Sequence, residues 1–247
     1  MARTCPFGVC DGGGIVVDER TRTAAYCRCR GQVVAAARAR GLQAVIPRKY
    51  RGVSFDRPPI TTVRDGIVAY VRRYVRDIDE RVDTGEGLWF HGPVGTGKTS
   101  LAMLVSKAAL DAGRTVAIYS LPRLLAEIRT TFDDGSDRSY TELLDRLTGV
   151  DLLHIDDVGA EKTSPWVLEQ LYALVNARYE EERSVVITTN LERDDLAEQI
   201  TERTVSRLEE MCEVLPVGGR DLRARHQEYA EYDAEPGVES PVRWDVA

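Results

Sequence analysis

Residues 87–100, Gly-Leu-Trp-Phe-His-Gly-Pro-Val-Gly-Thr-Gly-Lys-Thr-Ser, limit the fold of this 247-residue chain more than any other stretch. The apolar run Leu88-Trp89-Phe90-His91 predicts a buried strand, and an apolar helix is expected from Leu101. Between them Gly92, Pro93, Val94, Gly95, Thr96, Gly97, Lys98 and Thr99 complete the pattern G-x-x-x-x-G-K-T, followed by Ser100. Glycines let the backbone curl so that successive N–H groups point at a phosphate chain, and the following helix offers its positive end. Lys98 can reach the β- and γ-phosphates, and the Thr99 hydroxyl can take one position on Mg²⁺. A strand, a phosphate loop and a helix in that order predict a nucleotide-binding α/β fold.

Two further strand ends carry polar groups suited to the same chemistry. The run Val150-Asp-Leu-Leu-His-Ile-Asp156-Asp157 reads as an apolar strand closed by two carboxylates. Beside a phosphate loop, Asp156 can hold Mg²⁺ through water, and Asp157 can orient or deprotonate an attacking water. His154, inside that strand, reads as a core residue. The strand Ser184–Thr189 ends at Asn190, a polar tip that can position the lytic water or simply make a turn. Arg203, Arg207, Arg220 and Arg223 follow; each taken singly is a surface residue, but in phosphate transfer an arginine neutralises transition-state charge.

Four of five cysteines lie in the first 29 residues, as Cys5-Pro-Phe-Gly-Val-Cys10 and Cys27-Arg-Cys29. The Gly-rich, β-prone segments between them, Gly12–Val17 and Thr23–Tyr26, predict a hairpin. In a reducing compartment such a cluster suggests a Cys₄ zinc site, with a disulfide pair or free thiols as alternatives. About 30 residues cannot hold a hydrophobic core, so a metal would be what folds them. Cys212 reads as a core residue.

The chain is 43% hydrophobic and 30% charged with a net charge of −7, enough for one full core plus a small appendage. No apolar run approaches the ~20 residues that span a bilayer, and the N-terminus lacks a signal-type apolar region, so a cytoplasmic protein without membrane contact is expected. Basic residues dominate up to residue 57, and acidic ones dominate the body and, more strongly, the tail. Strong duplex DNA binding through the overall field is therefore not expected; nucleic-acid contact must be local. An Ala-rich helix over 31–41 is expected to close the first domain near residue 45, followed by an extended basic linker over 46–59. Apolar periodicity over Ile60–Arg81 predicts one amphipathic helix, and residues 193–210 read as helical throughout.

Cys cluster, linker, phosphate loop, Asp156-Asp157, an Asn-tipped strand, Ser-Arg207-Leu and Gly-Arg-Asp-Leu-Arg223 occur in an order that resembles the DnaC/DnaI-type replicative helicase loaders, an AAA+ ATPase family, especially phage-type members. The resemblance covers roughly residues 5–226. It implies a three-layer αβα fold with a parallel sheet at 60–228 and a small zinc-binding domain at 1–45 that grips a replicative DnaB-type helicase; the acidic tail at 229–247 lies outside it. It further implies ATP, Mg²⁺ and Zn²⁺ as cofactors, self-association through the AAA+ domains, and single-stranded DNA along the inner face. By position, Asn190 matches sensor 1, Arg207 the arginine finger offered to a neighbouring subunit (Arg203 being the alternative), and Arg223 sensor 2. Phe132, Ser164 and Trp166 fall where the family contacts DNA, with Lys162 and Arg129 as nearby cations; the alternative reading of Phe132 and Trp166 is as core anchors. Many members carry Glu at the second acidic position, and Asp157 is one methylene shorter, which suits a switch better than a motor. An IstB-type transposition ATPase and a nucleotide-sensing adaptor without turnover are the competing expectations.

Overall fold

A computed structural model describes residues 5, 7–18, 20–21, 23–30, 46–132, 139–159 and 164–222. The expected helix over 31–41, the acidic tail, Lys162 and Arg223 lie outside these residues.

The N-terminal hairpin is present: β1 (Ile15–Asp18) pairs antiparallel with β2 (Thr23–Tyr26). The larger sheet contains β3 (Gly87–His91), β4 (Val116–Ser120), β5 (Leu152–Asp156), β6 (Ser184–Thr188) and β7 (Cys212–Pro216). Its order is β4-β5-β6-β3-β7, and every pairing is parallel. Parallel strands need crossover helices, which cover both faces, so the strands read as continuous apolar runs.

Alternation along each strand sorts residues into two cores. On one face Leu88, Phe90, Ile118, Leu152 and Val186 pack against α1 (Asp65–Arg76), α2 (Ile78–Asp83) and α3 (Lys98–Asp111). On the other, Trp89, Tyr119, Leu153, Ile155 and Ile187 pack against α4 (Leu121–Thr130), α5 (Tyr140–Gly149), α6 (Pro165–Glu180), α7 (Arg193–Ile200) and α8 (Glu202–Met211). This is the expected three-layer αβα architecture. The chain leaves β3 for one side of the sheet and returns on its other side as β7, which opens a crevice at the C-terminal strand ends.

Arg178 of α6 is fully buried and ties the second core to the sheet. Its Nη1 donates to the carbonyls of Leu147, Thr148 and Val150, and its Nη2 to those of Asp151 and Ser184. Desolvation lowers its pKa to about 9.

Four local expectations are corrected. The stretch 60–81 is a 3₁₀ turn at Ile60–Thr62 followed by α1 and α2, because Asp77 (φ −100°, ψ 24°) leaves the helical region and its carboxylate takes two hydrogen bonds from Arg76. The apolar period survives across the break, which is why one helix was expected. Residues 193–210 form two helices, because Thr201 adopts φ 79° and its hydroxyl lies 3.1 Å from that of Thr204. Residues 46–59 are not simply extended: Arg48–Tyr50 forms a 3₁₀ turn, and Tyr50, Val53 and Phe55 pack on the first core. Finally, β7 begins directly after α8 with no turn residues between, where the residue pattern predicts no strand; Cys212 is buried, as expected.

Candidate nucleotide site

The ends of β3, β5 and β6 converge on a cleft of about 540 Å³, within the size range of ligand pockets. Gly95, Gly97, Lys98, Thr99 and Ser100 form its floor, Asp156, Asp157, Thr188 and Asn190 one wall, and Lys49, Tyr50, Gly52, Val53, Pro58, Pro59 and Thr62 another. Apart from Thr62, that second wall comes from the segment expected to be only a linker, and sequence reasoning missed it. Tyr50, Val53 and the prolines mark the segment as one that packs rather than an exposed spacer, but nothing local ties them to the phosphate loop.

The loop backbone dictates its residue types. Gly97 precedes α3 in the left-handed region (φ 102°) and provides no side-chain cap, so the first N–H groups of the helix stay available to an anion. Gly92 has φ 128°, and a Cβ there would lie 2.6 Å from the Val217 carbonyl. Lys98 Nζ donates to the carbonyls of Gly92 and Pro93 at 2.6 Å each, holding the loop closed on itself. The Leu222 N–H donates to the Gly95 carbonyl at 3.1 Å, so the chain after β7 lies along the loop.

One hydroxyl joins the two residues of the acidic wall. Thr188 Oγ1 donates to Asp156 Oδ1 at 2.7 Å and accepts the Asp157 N–H at 2.9 Å. Burial raises the pKa of Asp156, but the His154 ring, Thr188 and Thr99 favour its charged form more strongly and hold it below the ordinary carboxylate value. Thr99 and an ionised Asp156 side by side form an oxygen donor pair of the kind Mg²⁺ takes. Asp157 adopts φ 63°, and Asn190 Nδ2 donates to its Oδ1 at 2.9 Å. His154 is fully buried with Nδ1 2.9 Å from Ser106 Oγ, as expected of a core residue.

Neither Arg203 nor Arg207 lines this cleft. Arg207 lies against α6, its Nε donating to Asn176 Oδ1 at 2.7 Å.

Two other predicted sites come together apart from the cleft. The sulfurs of Cys5, Cys10, Cys27 and Cys29 all lie within 4.8 Å of one another, with Cys5–Cys27 at 3.7 Å and Cys10–Cys29 at 3.4 Å. A tetrahedral S₄ site with Zn–S bonds of ~2.3 Å has S···S edges of roughly 3.8 Å, so the cluster fits zinc. Backbone N–H groups, that of Val9 foremost, bring the Cys5 thiol down to about 6, while burial pushes Cys29 up to about 12. Elsewhere Phe132, 56% exposed, stands 5.2 Å from the Tyr140 ring and 6.2 Å from that of Trp166, and the Arg129 guanidinium lies 5.1 Å from the Trp166 ring. Ser164 caps α6, its Oγ accepting the Val167 N–H at 3.3 Å.

Residues 74–230 match the family model described as IstB-like ATP binding protein. The chain belongs to that family. Among curated proteins it is 28% identical over 137 residues to the replicative helicase loader DnaC of Escherichia coli K12, covering 56% of this chain and 54% of the relative. It is 26% identical over 162 residues to DnaC of Buchnera aphidicola from Acyrthosiphon pisum, covering 64% of each. The chain thus spans less than two thirds of the length of these relatives. A crystal structure of the DnaC helicase loader superposes with a TM-score of 0.60 at 28% identity, covering 70% of this chain and all of that one. The family model carries the name of one expected branch and the relatives that of the other; both fall on the same AAA+ ATP-binding domain.

Proposed function

We propose that this protein is an ATP-dependent loader that binds a replicative DnaB-type helicase and delivers it onto single-stranded DNA. The observation that carries the reading is the polar cleft at the strand ends, in a chain whose curated relatives are named helicase loaders. We read residues 1–45 as the helicase-binding module, 46–59 as the connection, 60–228 as the ATPase domain and 229–247 as an acidic tail.

In the proposed mechanism the backbone N–H groups of residues 94–100 and the Lys98 ammonium bind the phosphates, and Tyr50, Val53 and Pro59 offer an apolar wall to the base. Thr99 and Asp156 would hold Mg²⁺, which would supply positive charge to neutralise the negative charge developing on the phosphates. Asp157 accepts the proton of the attacking water while Asn190 fixes the carboxylate that takes it. Arg207 meets the γ-phosphate of a second copy, and Arg223 that of its own subunit. The shorter Asp157 makes turnover slow, so that ATP binding sets assembly and hydrolysis sets release.

Phe132 and Trp166 would stack on bases, with Arg129, Lys162 and Ser164 meeting the backbone. The four thiols would bind zinc, which cross-links two otherwise coreless loops. Phe7, Val9, Val17 and Tyr26, each more than half exposed beside those thiols, give the module an apolar surface for the helicase.

The test is ATPase activity with and without single-stranded DNA for the full chain and for Lys98→Ala, with co-purification of a helicase from the source cell. DNA-stimulated turnover lost in Lys98→Ala, plus a captured helicase, is expected. Capture of a transposase would favour the transposition-regulating branch, the second reading that the family model supports. Tight ATP binding with no phosphate release would leave an adaptor without turnover.

A further inference from the structure

The arginines that the chain holds firmly are mostly paired with carboxylates. Arg114 meets Asp79 and Asp83, and Arg193 meets Glu202 and Glu209. Arg207 is held differently. Its Nε donates to the neutral amide oxygen of Asn176 and its Nη1 to the Arg203 carbonyl at 3.3 Å. Its guanidinium carbon lies 5.0 Å from the ring centroid of Tyr172 and 5.6 Å from that of Tyr179, within the range of cation–π attraction.

The ring and amide that hold Arg207 are themselves tied to carboxylates. Tyr179 donates its hydroxyl to Glu210 at 2.6 Å, and Asn176 Nδ2 donates to Glu180 at 2.9 Å. That second bond also fixes the amide: with Nδ2 on Glu180, Oδ1 faces Arg207, and a flip would break both contacts. Tyr172, Asn176 and Tyr179 fall at spacings of four and three on α6, so they share one helical face. Among the described residues no carboxylate lies within salt-bridge distance of Arg207, and its Nη2 makes no hydrogen bond.

We propose that Tyr172, Asn176 and Tyr179 are positioning residues that fix the Arg207 guanidinium, with its charge unneutralised, for the triphosphate of a second copy of this chain. The inference rests on the reading of Arg207 given under the proposed function. A carboxylate partner would compete with phosphate for the guanidinium. A neutral amide and two rings restrain it and leave its charge for the incoming anion. A group ordered before assembly also loses less side-chain entropy when the neighbour docks.

The test uses mixed full-length subunits with single-stranded DNA. One subunit carries Lys98→Ala and offers only its Arg207; the other carries Arg207→Ala and offers only its cleft, so turnover reports one kind of seam. Placing Tyr172→Leu or Asn176→Ala in the arginine-offering subunit should lower kcat ~10- to 100-fold with the KM for ATP unchanged. Tyr172→Phe, which keeps the ring, should retain the rate. In the Arg207→Ala subunit, Tyr172→Leu should cost nothing more, because the group it positions is gone. Equal losses from either subunit, or none from the arginine-offering one, would overturn the proposal. If Arg207→Ala in both subunits left turnover intact, the role of Arg207 itself would fail and the cradle with it. Loss with Arg207→Ala but none with the cradle variants rejects the cradle alone.

Discussion

The side-chain amide of Asn190 donates to the carboxylate of Asp157 at 2.9 Å, linking the tip of β6 to the residue after β5. Asp157 sits at φ 63°, a conformation that non-glycine residues adopt only when the surroundings hold them. The Asn190 bond and the Thr188 bond to its N–H are what hold it. Asn190→Ala should therefore lower single-turnover hydrolysis by about 10²-fold, the scale of a misplaced general base. Binding of a fluorescent ATP analogue should change little, and a Kd that rises as steeply as the rate falls would contradict this assignment.

Thr188 is the joint of the acidic wall, and Thr188→Val keeps its volume while deleting the hydroxyl. The Asp157 N–H loses its acceptor, and Asp156 loses a donor. An unpaired buried polar group costs about 1–3 kcal/mol, so thermal denaturation should show a lower Tm by several degrees. Mg²⁺-dependent nucleotide binding should weaken as well. A variant as stable as the parent, with unchanged Mg²⁺ dependence, would remove Thr188 from the site.

Asp156 should contribute to the acid limb of stability. Its carboxyl is held below the ordinary value, so the folded state binds fewer protons than the unfolded one at low pH. The stabilisation is fully present above the unfolded pKa of about 4 and is lost as pH falls through the folded value. Asp156→Asn should flatten the Tm profile below about pH 4. Overlapping acid limbs for parent and variant would show that another group governs it.

How much of this was legible in the sequence depended on whether the signal was local. The phosphate loop, Asp156-Asp157 and Asn190 each sit where an apolar run meets polar residues, and that punctuation marks strand ends without tertiary knowledge. Thr188 looked like one more β-branched strand residue; only its pairing across β5 reveals a hinge between two carboxylates. Tyr50 and Val53 carried no mark of the cleft, because what brings them to Lys98 is long-range packing. The breaks at Asp77 and Thr201 were invisible for a related reason: apolar spacing survives a change of axis. β7 was hidden by the missing turn after α8 and by the exposed Glu213 and Val214.

The Phe132–Trp166–Arg129 group should contribute to single-stranded DNA binding through stacking. Phe132→Ala removes an exposed ring, so it should weaken binding of a short oligonucleotide by ~5- to 100-fold, equivalent to ~1–3 kcal/mol, with little change in Tm. Trp166→Ala should weaken binding and also lower Tm, because that ring packs on the core as well. Fluorescence anisotropy at fixed salt reads the first, and calorimetry the second. Parent-like affinity in both variants would move the DNA contact elsewhere.

Zinc is the sharpest remaining test, because the four sulfurs already stand at distances an S₄ site requires. Metal analysis of the full chain should find one equivalent of zinc. Cys27→Ser or Cys29→Ser should lose it and loosen the β1–β2 hairpin, since Cys27 and Cys29 are its buried anchors. Because the ATPase domain has its own two cores, the same variants should keep nucleotide binding while losing helicase capture. A chain that holds no metal yet protects the amides of Val16 and Ala25 from hydrogen exchange would show that the hairpin folds without it, and the module would then need another account of its stability.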